Sequence, residues 1–518
     1  MITMSGRLAG ALLLSLLLVS SYSPTRAADG VYDLSLEEAV TTAVRNNFDI
    51  ALEKIQTQVA HEQSSIAEAE FDPSLNSEVS YGKSRTASTS AFANPEISQT
   101  DQAGGDVYVS EKTTAGTQYK AGLSMRQDST NSTFQNLNPA YNASLKMELT
   151  QPLLRNRGAE VNRWMIVTSR NNEDIAKYRL TEKLSAIITA VHETYWELAF
   201  SVESLKAQKE SLERAKDLER RVRIQVDVGA LSPIEIVQAQ ASVAERERNV
   251  IQADNAVDKA SDQLLKLMNP KASDDIWQKR VNTTDLPKVS SLPMGVDRSI
   301  EKALESRPEI KIAKKEQENS NIELVYRKNQ KWPSLDIVAS LNLNGVRGEA
   351  QPTTSFSSGG VKYSSFDGGW DSAFGDATSG NYYDYSLGLR LTYPIGAREP
   401  KAREAIAALS VQSAIIKLKS LENDIILEVR DAAREIENGK KQVEAARLAR
   451  VLAEKKLEAE VKKFEVGAST SFNVLEYQKD LINQQSEELR ALTESRKAVA
   501  RYYRAIGSAL EFNNIDYN

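Results

Sequence analysis

RVRIQVDVGALSPIEIVQAQ, residues 221–240, and EVKKFEVGASTSFNVLEYQ, residues 460–478, are two versions of one helical turn. Each begins as a charged, heptad-like helix, stops at a glycine and starts a second helix within a few residues. Gly229 and Gly467 end the incoming helices, because glycine enters a left-handed C-terminal cap without strain. Ser232 and Thr470 are placed to cap the outgoing helices, and Pro233 falls at a first helical position. Past the turns the copies keep register without a gap, from Gly229 against Gly467 to Met268-Asn269 against Ile506-Gly507. A lone Val-Gly-Ala turn is an ordinary helical hairpin. Two of them inside a matching repeat make the chain a duplicated unit.

The duplication continues upstream. Ser299–Leu304 echoes Ser35–Val40, Trp332-Pro333-Ser334-Leu335 echoes Asp72-Pro73-Ser74-Leu75, and Tyr383–Pro394 echoes Tyr141–Pro152. The chain divides into a first repeat over 28–285, a linker over 286–296, a second repeat over 297–507 and a tail over 508–518. Apolar residues at spacings of three and four predict a helix from Leu34 to about Glu70, with Ser35 as its cap and Pro73 as its end. They predict a long helix over 161–228 and a returning one over 233–268. The second repeat reads as a helix over 296–331, a long one over 400–466 and a return over 471–506. In the last long helix Val429, Ala432, Ile436, Gly439, Val443 and Ala446 keep the 3.5 period of a left-handed coiled coil. A helix over 161–228 is about 100 Å long at 1.5 Å per residue. One short helix cannot cover it, so two must stack end to end. The expected object is a rod of paired helices, with strands at one end and both glycine turns at the other.

Between the helices the apolar period drops to two, in strand regions over 72–151 and 333–394. Tyr141, Ala143, Leu145, Met147 and Leu149 alternate with Asn142, Ser144, Lys146, Glu148 and Thr150. Leu335, Ile337, Ala339, Leu341 and Leu343 repeat the pattern, as do Tyr385, Leu387, Leu389 and Leu391. A Gly/Ser/aromatic loop is expected over 346–380. Ten-residue alternating segments with Tyr near their ends are the mark of a transmembrane β-barrel, and a soluble sandwich is the alternative. Lys146, Glu148, Asp336 and Arg390 on the would-be inner faces speak against the sandwich. Two strands per repeat give four per chain, and four cannot close. Open edges are not tolerated in lipid, so several copies must share one barrel. A further candidate hairpin over 106–126 stands open between an extracellular flap and two more barrel strands.

Arg7, an apolar run from Leu8 to Val19 and the small residues of Thr25-Arg26-Ala27 read as a secretory leader cleaved after Ala27. The run is too short for a membrane anchor, and no later stretch is apolar enough to cross as a helix. The formal charge of the 518-residue chain is −6, which disfavours nucleic acid as a partner. There is no Cys, hence no disulfide, no thiolate metal site and no lipidated N-terminal Cys. No Walker A, GxSxG or HExxH motif occurs, and His61 and His192 stand alone on helices. The carboxylates alternate with Lys and Arg at coiled-coil spacing, as solvated helix faces do. No enzyme and no cofactor is expected, and conduction has no energy source of its own.

The duplicated strand–helix–turn–helix unit, the Leu149-Thr150-Gln151-Pro152-Leu153 and Leu391-Thr392-Tyr393-Pro394-Ile395 runs, and the two turns together resemble the TolC family of outer membrane efflux proteins. The fold implied is one of long coiled-coil helices plus transmembrane strands, a trimeric β-barrel continuous with an α-helical barrel. By that resemblance three chains form a twelve-stranded barrel in the outer membrane and a twelve-helix tunnel across the periplasm. The function implied is the passive exit duct of a tripartite efflux or type I secretion system, with a periplasmic adaptor protein and an inner-membrane pump or ABC transporter as partners. Val228, Gly229, Ala230, Leu231, Ser232 and Val466, Gly467, Ala468, Ser469, Thr470 would form the adaptor-docking tip. Glu235, Glu476, Phe464 and Asn473 would line the constriction. The family's tip arginine is replaced by Ser469 and its tyrosine by Phe464, so the closed tip must be held differently. The alternative from another class is a secreted coiled-coil spacer with no conduit.

Overall fold

The computed structural model describes residues 30–87, 95–271, 275–289, 291–354 and 361–516. The expected leader, 1–27, lies outside them. The first half runs β1 (Val31–Leu34), α1 (Leu36–Asn46) and α2 (Phe48–Glu68), then four strands in succession. These are β2 (Ser74–Ala87), β3 (Ile97–Lys112), β4 (Gln118–Thr130) and β5 (Leu137–Pro152). The short α3 (Ala159–Asn162), the long α4 (Trp164–Asp227), α5 (Ile234–Met268) and β6 (Arg280–Thr283) complete it. The second half runs α6 (Val296–Ser306), α7 (Pro308–Asn329) and β7 (Ser334–Ala350). A two-residue pair follows, β8 (Thr353–Thr354) and β9 (Val361–Lys362), then α8 (Trp370–Ser379) and β10 (Tyr383–Thr392). It ends with α9 (Arg398–Glu465), α10 (Ser471–Ala505) and the single turn α11 (Ala509–Phe512).

Ser35 starts α1, its hydroxyl accepting from the Glu38 N–H at 3.2 Å beside the acidic first turn. The continuous helix expected over 34–70 is broken at Asn47. Its backbone is extended (ψ 129°), and its side chain accepts from the Asp49 N–H at 2.9 Å, capping α2. The same break recurs in the second half at Arg307, also at ψ 129°. Pro308 drives it, since the residue before a proline avoids the helical region. Arg307 is buried and forks onto Glu309 and Glu428, whereas Asn47 reaches the Leu267 carbonyl at 2.9 Å.

Four helices lie side by side in each of two tiers. In the tier nearer the strands the order is α2, α4, α7, α9; in the lower tier it is α5, α4, α10, α9. α4 and α9, 64 and 68 residues long, run through both tiers, and pairs of shorter helices stack alongside them. The repeat persists in the packing. Leu184, Ile188, Val191 and Leu198 of α4 meet α1 and α5 through Ala39, Ala43, Leu264 and Met268. Ile425, Val429 and Ile436 of α9 meet α6 and α10 through Ala303, Val499, Tyr502 and Ile506. A waist outside the helices was not foreseen: β1 pairs parallel with β6 from Val31↔Arg280 to Leu34↔Thr283. Segments four residues long carry too few alternations to be read as strands.

The remaining long strands form one antiparallel sheet, in the order β10-β7-β5-β4-β3-β2. Six strands per chain, not four, is a correction, because the open hairpin over 106–126 belongs to β3 and β4 of this sheet. The loop expected over 346–380 is also partly ordered. β7 continues to Ala350, and α8 lies across the sheet where Gly345 offers no side chain. A Cβ at Gly345 would come within 1.9 Å of the Ala373 carbonyl. Arg347 also holds α8 through Asp376 at 2.6 Å and 2.8 Å. Replacing Asn47 by Ala removes a helix cap and the bond to Leu267. The expected loss is about 1–2 kcal/mol, read as a lowered thermal midpoint of the detergent-extracted protein with its oligomeric size unchanged.

Candidate functional site

The two turns meet at the end of the molecule away from the sheet. Leu218 and Val222 of α4, Ala453, Leu457 and Phe464 of α9, and Val474 and Leu481 of α10 form one apolar cluster there. Leu231 of the first turn and Ile236 of α5 pack against it. Both turns end their helices alike. Gly229 and Gly467 sit at φ +77° and +75°, the left-handed region that costs glycine nothing. Gly229 N–H donates to the Val226 carbonyl and Ala230 N–H to Gln225; Gly467 N–H donates to Phe464 and Ala468 N–H to Lys463. This paired pattern satisfies carbonyls that the helix end leaves open. Nothing lies within 4 Å of where a Cβ would project at either glycine.

The outgoing helices start differently. Thr470 caps α10 through the Asn473 N–H, as expected. Ser232 does not cap α5 with its side chain: its backbone carbonyl takes the Glu235 N–H at 3.0 Å, and Pro233 has no N–H to give. The turns are joined by side chains instead. The fully buried Ser471 hydroxyl donates to the Glu235 carboxylate, tying the first turn of α10 to that of α5. Ser469 donates to Glu460 at 2.6 Å and accepts from Asn473 Nδ2 at 3.3 Å. Lys463 reaches the other Glu460 oxygen at 3.1 Å. The Ser469 hydroxyl and the Lys463 ammonium hold the Glu460 carboxyl below its usual range. Phe464 is buried in the tip cluster, and Glu476 faces a groove between α5 and α10 shared with Gln238, Arg246, Phe472 and Lys479. Arg246 is buried against Ser211 and Ser242.

Ser471, Glu460 and Arg246 escaped the sequence reading. Ser471 adjoins a cap residue and looks like part of it, while Glu460 and Arg246 look like ordinary heptad charges. Among the described residues no group of His, Asp or Glu is arranged to hold a metal ion.

At the other end, the rows of the sheet nearer the helices separate an apolar face from a polar one, while Lys83, Arg85 and Asp101 fall on the apolar side further out. Paired rows such as Val107, Leu123, Leu145, Leu343 and Tyr383 are apolar. The neighbouring rows carry Asp106, Ser124, Ser144 and Asn344. These polar residues bond across strands: Gln102 and Asn142 both donate to Asp128 at 2.9 Å, Ser144 donates to Asn344 at 2.9 Å, and Asn344 donates to Asp384 at 2.9 Å. Among the described residues no helix is long and apolar enough to cross a membrane. The sheet supplies the only broad apolar band that the described residues place beside a matching polar face.

The sequence model of the outer membrane efflux protein family matches the chain over 39–270 and again over 299–508. No curated protein matches the chain in sequence. Solved structures resemble it over most of its length. The Campylobacter jejuni CmeC outer membrane channel is 16% identical, with a TM-score of 0.66 over 93% of this chain and 90% of that one. The Vibrio cholerae outer membrane protein VceC is 14% identical, with a TM-score of 0.64 over 91% and 96%. The open state of the Neisseria gonorrhoeae MtrE outer membrane channel is 15% identical, with a TM-score of 0.60 over 92% and 89%.

Removing the Ser471 hydroxyl leaves Glu235 without its partner. Ser471→Ala is expected to raise basal conductance in planar bilayers, with the protein still folded and of unchanged size. A conductance equal to that of the parent protein would exclude the Glu235–Ser471 bond as a latch. The Ser469–Glu460–Lys463 cluster contributes fully above the ordinary carboxylate range and is lost as pH falls through the depressed Glu460 value. Acidification below the ordinary carboxylate range should therefore raise conductance, and Glu460→Gln should abolish that response.

Proposed function

Because the chain belongs to the outer membrane efflux protein family, we propose that it is the exit duct of a tripartite efflux or type I secretion system. The observation that carries this is the sheet with one apolar and one polar face, set on two tiers of helices about 100 Å long. The apolar face fits outer membrane lipid and the polar face fits an aqueous lumen. The helices then stand in the periplasm, with the two turns at their far end. A spacer protein has no use for such a band.

Homotrimerisation supplies the missing wall. A ring of copies places α9 of one against α2 and α5 of the next, and β10 against β2. α2 leaves Phe48, Leu52, Ile55, Val59 and Ile66 exposed along one stripe, and α9 leaves Ile406, Leu409 and Ile416 exposed along another. Those stripes have the spacing of helix-packing faces. The protein acts as a passive conduit and performs no chemistry of its own. A periplasmic adaptor docks at the open space around Gly229 and Gly467, and an inner-membrane pump or ABC transporter supplies the energy. Detergent-extracted protein from outer membranes should run as a trimer whose mature N-terminus is Ala28. A soluble monomer would overturn the reading.

Two further outcomes follow from the tip geometry. Gly467→Trp adds strain at φ +75° and bulk on the open surface. It should abolish transport and crosslinking to the adaptor while the trimer survives; normal transport would move the docking site elsewhere. Threefold symmetry also gathers three copies of Glu235 and Glu476 near the axis, where clustered carboxylates attract cations. In a Ser471→Ala background, Glu235→Gln with Glu476→Gln should shift the reversal potential across a salt gradient towards zero and weaken block by divalent ions. An unchanged potential would place both carboxylates outside the lumen.

A further inference from the structure

We propose that the barrel of this protein has eighteen strands, with β3 and β4 as a full section of its wall and the β2 and β10 edges of neighbouring copies as the seams. The inference rests on the trimeric channel reading and departs from the twelve strands that the family resemblance implies.

The hairpin is not a flap laid over a four-stranded sheet. β2 does not pair with β5; it pairs with β3 along its whole length, from Ser74↔Ser110 to Ala87↔Ile97. β3 pairs with β4 from Thr100↔Thr130 to Lys112↔Gln118, and β4 with β5 from Gln118↔Thr150 to Asp128↔Ala140. The two strands also obey the same division of faces. Val107, Val109, Leu123 and Met125 continue the apolar side, while Asp106, Ser110, Ser124 and Arg126 continue the polar side. A flap in water has no reason to keep that division across both neighbours.

The hairpin is fastened at its base as well. Its turn fits under the end of β5: Gly158 N–H donates to the Ala115 carbonyl at 3.1 Å, and Thr117 donates to Gln151 at 2.5 Å. Gly116, at φ +94°, lies so close that a Cβ would stand 2.4 Å from the Asn156 carbonyl. The turn is thus seated on the rim where strands give way to helices.

Two sheet edges remain, on β2 and β10, and they point to one occupant. Their outward N–H and C=O groups have no water to bond in hydrocarbon, so another strand must pair with them. As first and last of six alternating strands, β2 and β10 run in opposite directions and can join antiparallel. The helices show the same sidedness: α9, which follows β10, is one edge of both tiers, and α2, which precedes β2, is the opposite edge of the upper tier. A second copy of this chain satisfies strand edge and helix edge at once.

The added strands change the bore. With strands about 4.8 Å apart and tilted about 40°, twelve give a circumference of about 75 Å and eighteen about 113 Å. Twelve helices at 8–10 Å spacing need about 96–120 Å. An eighteen-stranded barrel therefore continues the helical tunnel without a step, and the exit passes whatever fills the tunnel.

The absence of native Cys makes the test direct. Single Leu123→Cys and Ser124→Cys variants are treated in outer membranes with a membrane-impermeant maleimide. Ser124→Cys should react and Leu123→Cys should not, because the first faces the lumen and the second lipid. Equal reaction at both positions in a trimeric membrane protein would return the hairpin to a flap and overturn the inference while leaving the channel reading intact. In parallel, paired cysteines are scanned along β2 and β10, Val79→Cys against Leu387→Cys among them. Oxidation should yield covalent trimers. Variants carrying one Cys in β2 and one in β5 should form no disulfide; an intrachain disulfide between them would restore the four-stranded arrangement and refute the proposal. Soluble monomeric protein would instead refute the trimeric channel itself.

Discussion

The constraint on which this structure turns is that backbone N–H and C=O groups inside hydrocarbon must all be bonded. A six-stranded sheet satisfies its interior strands and leaves one row of groups unpaired along β2 and another along β10. The chain cannot meet that demand alone. Its sidedness follows from the same demand: every layer, strand or helix, ends in the same two edges, so one head-to-tail contact repeated around a ring can close all of them together.

Helices and strands solve different parts of the problem. The strands need closure because their bonds run between segments; the helices are internally bonded and need only bury their stripes. That is why the helical tiers rest on apolar clusters, with Leu184, Val191 and Leu264 in one repeat and Val429, Ile436 and Val499 in the other. The two halves share a plan without sharing every contact. At the matching helix breaks, Asn47 uses its own side chain as a cap, whereas Arg307 relies on Pro308 for the break and on Glu309 and Glu428 for its charge.

The tip depends on weaker and more local forces. Its turns are set by left-handed glycines, Ser471–Glu235 joins the two, and Ser469–Glu460 braces the second within itself. The Ser471–Glu235 bond ties the two helix pairs beside the apolar cluster of Leu218, Val222, Leu457, Phe464 and Val474.

Periodicity and punctuation alone determined the duplicated plan, the long helices, the two glycine turns, and the alternating strands at Tyr141–Thr150, Leu335–Leu343 and Tyr385–Leu391. Each of those signals lies within one segment, where spacing reports directly on which face is buried. Tertiary structure decided the rest. The break at Asn47 depends on a side chain turning back onto its own backbone, and β1 needs a partner some 250 residues away to be a strand at all. α8 packs where it does because Gly345 is empty, a fact about a neighbour and not about α8. Tyr119–Arg126 alternates in sequence, but alternation cannot say whether a hairpin joins a sheet or lies upon it. Only hydrogen bonds to β2 on one side and β5 on the other settle that, because the pairing of strands is a property of neighbours brought together by the fold.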